Sequence, residues 1–252
     1  MSEKVINKEE SSVWETIKVI VQALLIAVVV RTVLFQPFNI PSGSLIPTLL
    51  IGDYLFVSKY SYGYSRYSLP FGPPVMSGRL FGSEPKRGDI VVFKLPKDNA
   101  TDYIKRVVGL PGDQIQVIGG VLHINGKPVQ RERVEDYQTV IGPNGRTVSV
   151  PRYKETFPEG TTHYVIEKDG DRGFWDNTNV YTVKPGHFFM MGDNRDNSTD
   201  SRDEGSVGEV PFENLVGRAE IIFFSIDENA SLWRPWEWPA YIRWNRIFER
   251  IK

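Results

Sequence analysis

The hydrophobic pattern of the chain changes once, abruptly, near residue 35. Residues 19–35, "VIVQALLIAVVVRTVLF", carry only Gln22, Arg31 and Thr32 as polar members. Wound as a helix, this run is apolar on every face, where a helix of a soluble protein shows one stripe. Extending it back through Ile17, Trp14 and Val13 gives about 23 positions, and about 20 suffice to cross a bilayer. The pattern predicts a transmembrane helix, with Arg31 near enough to its end to snorkel toward the interface. A buried core helix is the alternative that all-round apolarity disfavours. A cleaved leader is another, but "RTVLFQPFNIPSG" follows the run with no small-x-small site. The segment reads as an uncleaved anchor. Lys4, Lys8 and Lys18 precede it, among Glu3, Glu9, Glu10 and Glu15. Orientation follows Lys and Arg, which puts the N-terminus in the cytoplasm.

Past the anchor the pattern becomes short strands and turns. "GDIVVFKLP" (88–96) and "DYIKRVVGL" (102–110) read as strands. "QIQVIGGVLHINGKPVQ" (114–130) reads as successive hairpin arms, turned at Gly119-Gly120 and at Asn125-Gly126, the second a strong type I′ signal. "HYVIEKDG" (163–170), "VYTVKPGHFFMMGD" (180–193) and "VGRAEIIFFSI" (216–226) continue the series. Short strands punctuated by 22 glycines and 17 prolines predict a mainly β fold. The stretch 130–183 is more polar, with "RERVEDYQ", "GPNGR" and "KDGDRG", and reads as an inserted lobe with longer loops.

Residues 231–252 form a distinct tail, "SLWRPWEWPAYIRWNRIFERIK". It holds Trp233, Trp236, Trp238 and Trp244, with basic Arg234, Arg243, Arg246, Arg250 and Lys252 against acidic Glu237 and Glu249. From Ala240, helical spacing puts Tyr241, Trp244, Phe248 and Ile251 on one face and Arg243, Arg246 and Arg250 on the other. Such a helix suits an anionic lipid surface. A helix packed on its own domain is the competing reading, and both stay open.

Charge adds an exclusion: 30 basic against 31 acidic side chains leave no broad positive field for nucleic acid. The absence of cysteine removes disulfides, thiolate nucleophiles and Cys-based zinc sites. The histidines, His123, His163 and His187, are not spaced as a metal pair.

Three motifs carry candidate chemistry. In "IPSGSLIPTLLIGD" (40–53), two serines flank Gly43 on a turn bounded by Pro41 and Pro47; alone this is an ordinary Ser-turn. In "DYIKRVVGLPGD" (102–113), Lys105 and Arg106 are strand neighbours facing opposite sides, so one points inward if the sheet packs on both faces. A lysine among Ile104, Val107 and Val108 is desolvated and its pKa falls toward that of a base; a half-exposed strand lysine is the plain alternative. In "MGDNRDNSTDSRDEG" (191–205), a buried strand runs into a polar loop. A calcium loop from Asp196 fails, with Ser201 where glycine is needed and Val207 where glutamate is needed. A serine hydroxyl needs a base. Only His187 lies near a motif and nothing pairs it with Ser44, whereas serine–lysine is a variant of the same logic. The lysine must then be neutral, hence buried. Gly43 lets the turn aim Oγ and an N–H at one point, as acyl transfer requires.

In that order behind an anchor, "IPSGSLIPTLLIGD", "GDIVVFK", "DYIKRVVGLPGD" and "MGDNRDNSTDSR" resemble the bacterial type I signal peptidases (leader peptidases), a Ser/Lys-dyad serine protease family. The resemblance implies an antiparallel β-sheet catalytic core (36–112 and 187–230) interrupted by a β lobe (113–186). The cytoplasmic N-terminus and anchor (1–35) precede it and the tail (231–252) follows. It implies Ser44 as nucleophile, Lys105 as general base, Ser198 orienting that lysine and Ser42 in the oxyanion hole. Asp200 and Arg202 match a structural ion pair. Phe38, Ile40, Leu45, Leu49, Val92, Tyr103 and Ile104 match pockets for small residues. The chain departs in Leu45, where most members have Met, in having one anchor where some have two, and in its tail; the lobe shows no family motif.

The implied activity is removal of signal peptides from exported preproteins after an Ala-X-Ala pattern, with no metal or organic cofactor. Preprotein signal peptides and the phospholipid membrane are the implied partners, and nucleic acid is not. The resemblance implies a monomer that meets the export translocon. It would be single-pass in the bacterial cytoplasmic (inner) membrane, catalytic domain on the periplasmic side. Three rivals stand beside this. A self-cleaving repressor would carry a DNA-binding domain and an Ala-Gly site, and this chain has an anchor and no Ala-Gly. A relative dedicated to one secretion, pilus or conjugation substrate shares the motifs. An inactive anchored β adaptor need not retain Ser44, Lys105 and Ser198.

Overall fold

A computed structural model describes residues 3–70, 72–141, 146–231 and 233–252; the "GPNG" of the polar lobe lies outside the described residues. One long helix, α1 (Glu3–Val33), opens the chain. Its segment Val13–Val33 has mean hydropathy 2.1 and none of it is buried against the rest of the protein. By length and composition this helix is long and apolar enough to cross a bilayer, which is consistent with a membrane anchor. The helix end is fastened: Tyr64 Oη donates to Val33 O at 2.9 Å and Lys59 N–H to Leu34 O at 3.0 Å.

Among the described residues sixteen strands follow: β1 (Phe35–Asn39), β2 (Asp53–Ser58), β3 (Ile90–Lys94), β4 (Asp102–Gly109), β5 (Gln114–Ile118), β6 (Val121–Ile124), β7 (Lys127–Pro128), β8 (Gln130–Arg133), β9 (Tyr137–Ile141), β10 (Arg146–Val150), β11 (Arg152–Thr156), β12 (Thr162–Ile166), β13 (Tyr181–Thr182), β14 (His187–Met191), β15 (Val210–Pro211) and β16 (Leu215–Ser225). Seven make one antiparallel sheet in the order β1-β2-β16-β3-β4-β14-β15. None of β5 to β13 enters it. They pair among themselves as β13-β5-β6-β7, β12-β11-β8 and β10-β9. The chain is therefore mainly antiparallel β behind one apolar helix. The two glycine-rich turns fall where the sequence put them: Gly119, Gly120, Asn125 and Gly126 all have positive φ, as primed hairpin turns require.

Alternation on β3 explains the layering. Ile90 and Val92 join Leu55, Val57 and Ile222 on one face, while Val91 and Phe93 join Val107, Phe188 and Met190 on the other. Apolar residues at both parities give a strand buried on both sides, each such side chain contributing about 1.5–3 kcal/mol. A third cluster joins Ile115, Val117, Leu122 and Ile124 to Val108, Phe189 and Met191, so the β5–β6 hairpin rests on the ends of β4 and β14.

The tail is not the amphipathic helix that its spacing predicts. Among the described residues α-helix is confined to Trp238–Tyr241, flanked by 3₁₀ turns at Pro235–Glu237 and Trp244–Arg246. Its backbone instead bonds to β16: Ile222 N–H donates to Glu249 O, Phe248 N–H to Ile222 O and Ile251 N–H to Glu220 O. The charge explains why. Arg246, placed by helical spacing on the basic face, turns inward and meets Asp53, a carboxylate with no exposed surface, at 2.6 Å. Leaving that carboxylate unpaired costs more than a short helix gains. Ile251 packs on the core, while Trp233, Trp236, Trp244 and Phe248 stay exposed. The tail thus packs on its own domain without being a helix.

Candidate active site

Ser44 sits in a single 3₁₀ turn, Gly43–Leu45, between β1 and β2. Leu45 and Leu49 anchor this turn in the core, and the Ile46–Pro47 peptide just after it is cis. The anchoring buries Ser44 except for 7% of its surface. Ser42 Oγ lies 3.5 Å from Ser44 Oγ.

Opposite, Lys105 comes from the middle of β4. Its ammonium nitrogen donates to Ser44 Oγ at 2.7 Å and to Ile104 O at 3.1 Å, and lies 5.4 Å from the centre of the Tyr103 ring. Only 4% of Lys105 is exposed. Burial lowers its pKa to about 8, against the opposing pull of Asp200 and Asp193. At pH 7 about one such lysine in ten is then neutral, against fewer than about one in a thousand for a free side chain. Pro41, Ser42, Gly43, Ser44, Tyr103, Ile104 and Lys105 share a cavity of about 420 Å³ with Asp102, Asn197 and Thr199. No histidine lines it among the described residues; His187 Nδ1 is instead paired with Pro185 O.

The polar loop after β14 clamps the serine turn from the far side. Asn194 N–H donates to Ser44 O at 3.1 Å, and Asn194 Nδ2 to Gly43 O at 3.0 Å. Gly192 makes the approach feasible, because a Cβ there would collide with Ser198 Oγ and Ser44 O. Asp200 and Arg202 form a buried two-pronged pair at 2.9 Å, and Gly192 N–H donates to the same carboxylate. Burial pushes the Asp200 carboxyl up, but Arg202 beside it more than reverses this and holds it below the usual carboxylate range. Ser198 is buried beside Gly192, but the hydrogen bonds of Lys105 Nζ go to Ser44 Oγ and Ile104 O and not to the Ser198 hydroxyl.

Both adjacent cations of β4 are buried, not one. Arg106 has no exposed surface and meets Asp193 through two hydrogen bonds, of 2.8 and 2.7 Å. The same guanidinium donates to Gly88 O and Lys252 O, and Thr48 Oγ1 donates to Asp193 at 2.5 Å. One ion pair thus joins β4, the serine turn, the polar loop and the tail. Asp193, Asn194 and Thr48 were not singled out from the sequence, and Arg106 was given no partner there. Their signal lay in the motifs themselves, a second cation beside Lys105 and an Asp-Asn pair opening the polar loop.

Of the seven residues expected at small-residue pockets, Tyr103 and Ile104 line the cavity at Ser44. Ile40, Leu45, Leu49 and Val92 are core residues, with Phe38 and Ile104 packed half-buried against them. Tyr103 packs beside Phe93 on the opposite face.

Residues 13–224 match the family described as signal peptidase, peptidase S26. A signal peptidase I of Rickettsia typhi is 46% identical over 211 aligned positions, covering 80% of this chain and 76% of its own. That of Rickettsia conorii is 39% identical over 265 positions, covering 97% and 94%. That of Rickettsia canadensis is 40% identical over 265 positions, covering 97% and 95%. A solved signal peptidase I of Enterococcus faecalis is 26% identical, covering 54% of this chain and 97% of that one, at a TM-score of 0.33.

Proposed function

This chain belongs to the type I signal peptidases, serine endopeptidases that remove signal peptides, and from that premise we propose that Ser44 and Lys105 perform its chemistry. The observation that carries the assignment is the 2.7 Å contact between two buried side chains from separate motifs. When the amine is neutral the contact reverses, and the hydroxyl donates. Ser44 Oγ passes its proton to Lys105 Nζ and bonds to the scissile carbonyl carbon. The resulting oxyanion is met by the Ser44 backbone N–H and the Ser42 hydroxyl, donors of the kind that stabilise such charge. The Lys105 ammonium then protonates the departing amine, leaving an acyl-serine. Water attacks that ester, giving a proton to the regenerated amine, and Ser44 leaves with it. In this reading Ser198 closes on Lys105 when substrate fills the cavity, and the Asp200–Arg202 pair holds the loop that carries it.

Small side chains, in an Ala-X-Ala pattern, suit a cleft walled by Tyr103 and Ile104 with the Phe38, Ile40, Leu45, Leu49 and Val92 cluster behind it. The preprotein comes out of the membrane, so an anchor at Val13–Val33 places the site beside its substrate, on the extracytoplasmic side by the distribution of Lys and Arg. The exposed Trp233, Trp236, Trp244 and Phe248 suit the same interface. The lobe at 113–186 is read as an insertion into the catalytic core at 36–112 and 187–230. The test is cleavage of a preprotein and of the same preprotein with its small residues replaced by bulky ones, with the new N-terminus sequenced. Loss of the cut in Ser44→Ala and in the bulky substrate supports the assignment. A cut elsewhere, or one indifferent to Ser44, rejects it.

A further inference from the structure

A second cavity, of about 310 Å³, opens where the end of α1 meets β2 and β3. Arg31 enters it from the helix, Lys59 from just beyond β2 and Lys94 from the end of β3; Asp102 is the one acid in its wall. Lys94 is engaged, with Asp102 at 2.9 Å and Ala100 O at 2.8 Å. Arg31 has no ion-pair partner among the described residues. Lys59 is 2% exposed and its ammonium gives one hydrogen bond among the described residues, to Ser68 O at 2.6 Å. Thr32 Oγ1, in the same wall, is buried without a hydrogen-bond partner. Burial brings Lys59 down to about 8, and Arg31 and Lys94 push the same way against Asp102.

Like charges brought together in a poorly hydrated pocket oppose folding unless an anion joins them. The donors suit an oxyanion: an ammonium with free protons, a guanidinium fork and a hydroxyl around one space. The position narrows the source. The wall includes the last turn of the bare apolar helix, which ends where bilayer headgroups begin. We infer that this cavity takes the phosphate of a membrane phospholipid headgroup, held by Arg31, Lys59 and Lys94. The inference rests on reading α1 as the membrane anchor. Asp102 lines both this cavity and the one at Ser44, so a bound headgroup lies directly beside the peptide cleft.

The test uses the full chain in non-ionic micelles, titrated with dihexanoyl phosphatidylglycerol and followed by native mass spectrometry. One lipid per chain is expected. Arg31→Gln/Lys94→Gln should bind at least about tenfold more weakly, the loss expected for one charge-assisted hydrogen bond. Dihexanoylglycerol, which lacks the phosphate, should not compete, and inorganic phosphate should compete only weakly. Asp102→Asn, which removes the one acid, should bind several-fold more tightly, a gain that misfolding cannot produce. Unchanged binding in the double variant, competition by dihexanoylglycerol, or no gain in Asp102→Asn would each overturn the inference. Inorganic phosphate binding as tightly as the lipid would assign the cavity to the free ion and overturn the lipid source. Displacement of the lipid by a phosphate-free signal peptide would assign it to substrate. Resistance of the chain to carbonate extraction from vesicles reports on the anchor separately.

Discussion

Lys105 Nζ touches Ser44 Oγ although the residues are 61 apart in sequence and stand on different elements. The contact joins a turn that packs into one core cluster to a strand whose Val107 packs into another. It therefore persists only while both sides of the sheet are intact.

The first prediction concerns that lysine. With a pKa of about 8, kcat/KM on a signal-peptide substrate should climb through an acidic limb near pH 8. Lys105→Arg keeps the charge, cannot deprotonate and should be inactive. His187→Ala should keep the limb; a limb moved to about 6.5 would put a histidine in the lysine's place. Stability moves the other way. The folded pKa lies below the unfolded 10.5, so the penalty for burying the ammonium is full below pH 8 and fades as pH rises toward 10.5. Lys105→Met should lose activity yet melt higher than wild type at pH 7, by up to about 3 kcal/mol of stability, with the gain gone near pH 10.5.

The two turn serines should separate by degree. Ser44→Ala removes the bond-forming oxygen and should leave essentially no turnover. Ser42→Ala removes one oxyanion donor, and such a loss costs about 10²–10³ in kcat. Single-turnover assays that find equal residual rates would contradict the roles assigned.

Asp193→Asn should unfold the site rather than tune it. It leaves Arg106, which has no exposed surface, without its counter-charge, and breaking one side of such a pair costs about 3–5 kcal/mol. Denaturant melts should show that loss. Full stability in Asp193→Asn would show that the pair does not hold the turn, loop and tail together.

Glu167 offers a test away from the reaction. It is 1% exposed, and burial, with Asp196 and Asp176 nearby, pushes its pKa up to about 8 despite Arg195 and Arg131. Its folded pKa lies above the unfolded 4.5, so the folded state keeps a proton that the unfolded chain releases. Stability from this group falls as pH rises from 4.5 to 8. Glu167→Gln should melt several degrees higher at pH 8 and match wild type near pH 4.5. Parallel pH curves for the two proteins would refute the assignment.

Much of this was legible in the chain. Short apolar runs around Val91 and Val107 marked β3 and β4, and paired glycine-type turns marked the β5–β6 hairpin, because these signals are local. The serine turn and Lys105 were legible as motifs. What the sequence hid was long-range charge pairing. Arg246 reads as a surface residue until Asp53, 193 residues away, is placed behind it. The same applies to Arg106, whose partner lies 87 residues on. Strands β1 and β2 also escaped, because both are short and Pro37 interrupts the first.

Gly192 sets a limit on what can be varied here. Its φ is not of the left-handed kind, so the backbone would admit other residues. Space alone forbids them, since the first carbon of any side chain would enter Ser198 and the Ser44 carbonyl together. A library randomised at 192 and selected for secretion should return glycine almost alone. One at Gly112, where nothing lies near and only a positive φ applies, should also return Asn and Asp. The two positions look alike in the sequence, and selection would tell them apart by whether anything but glycine comes back.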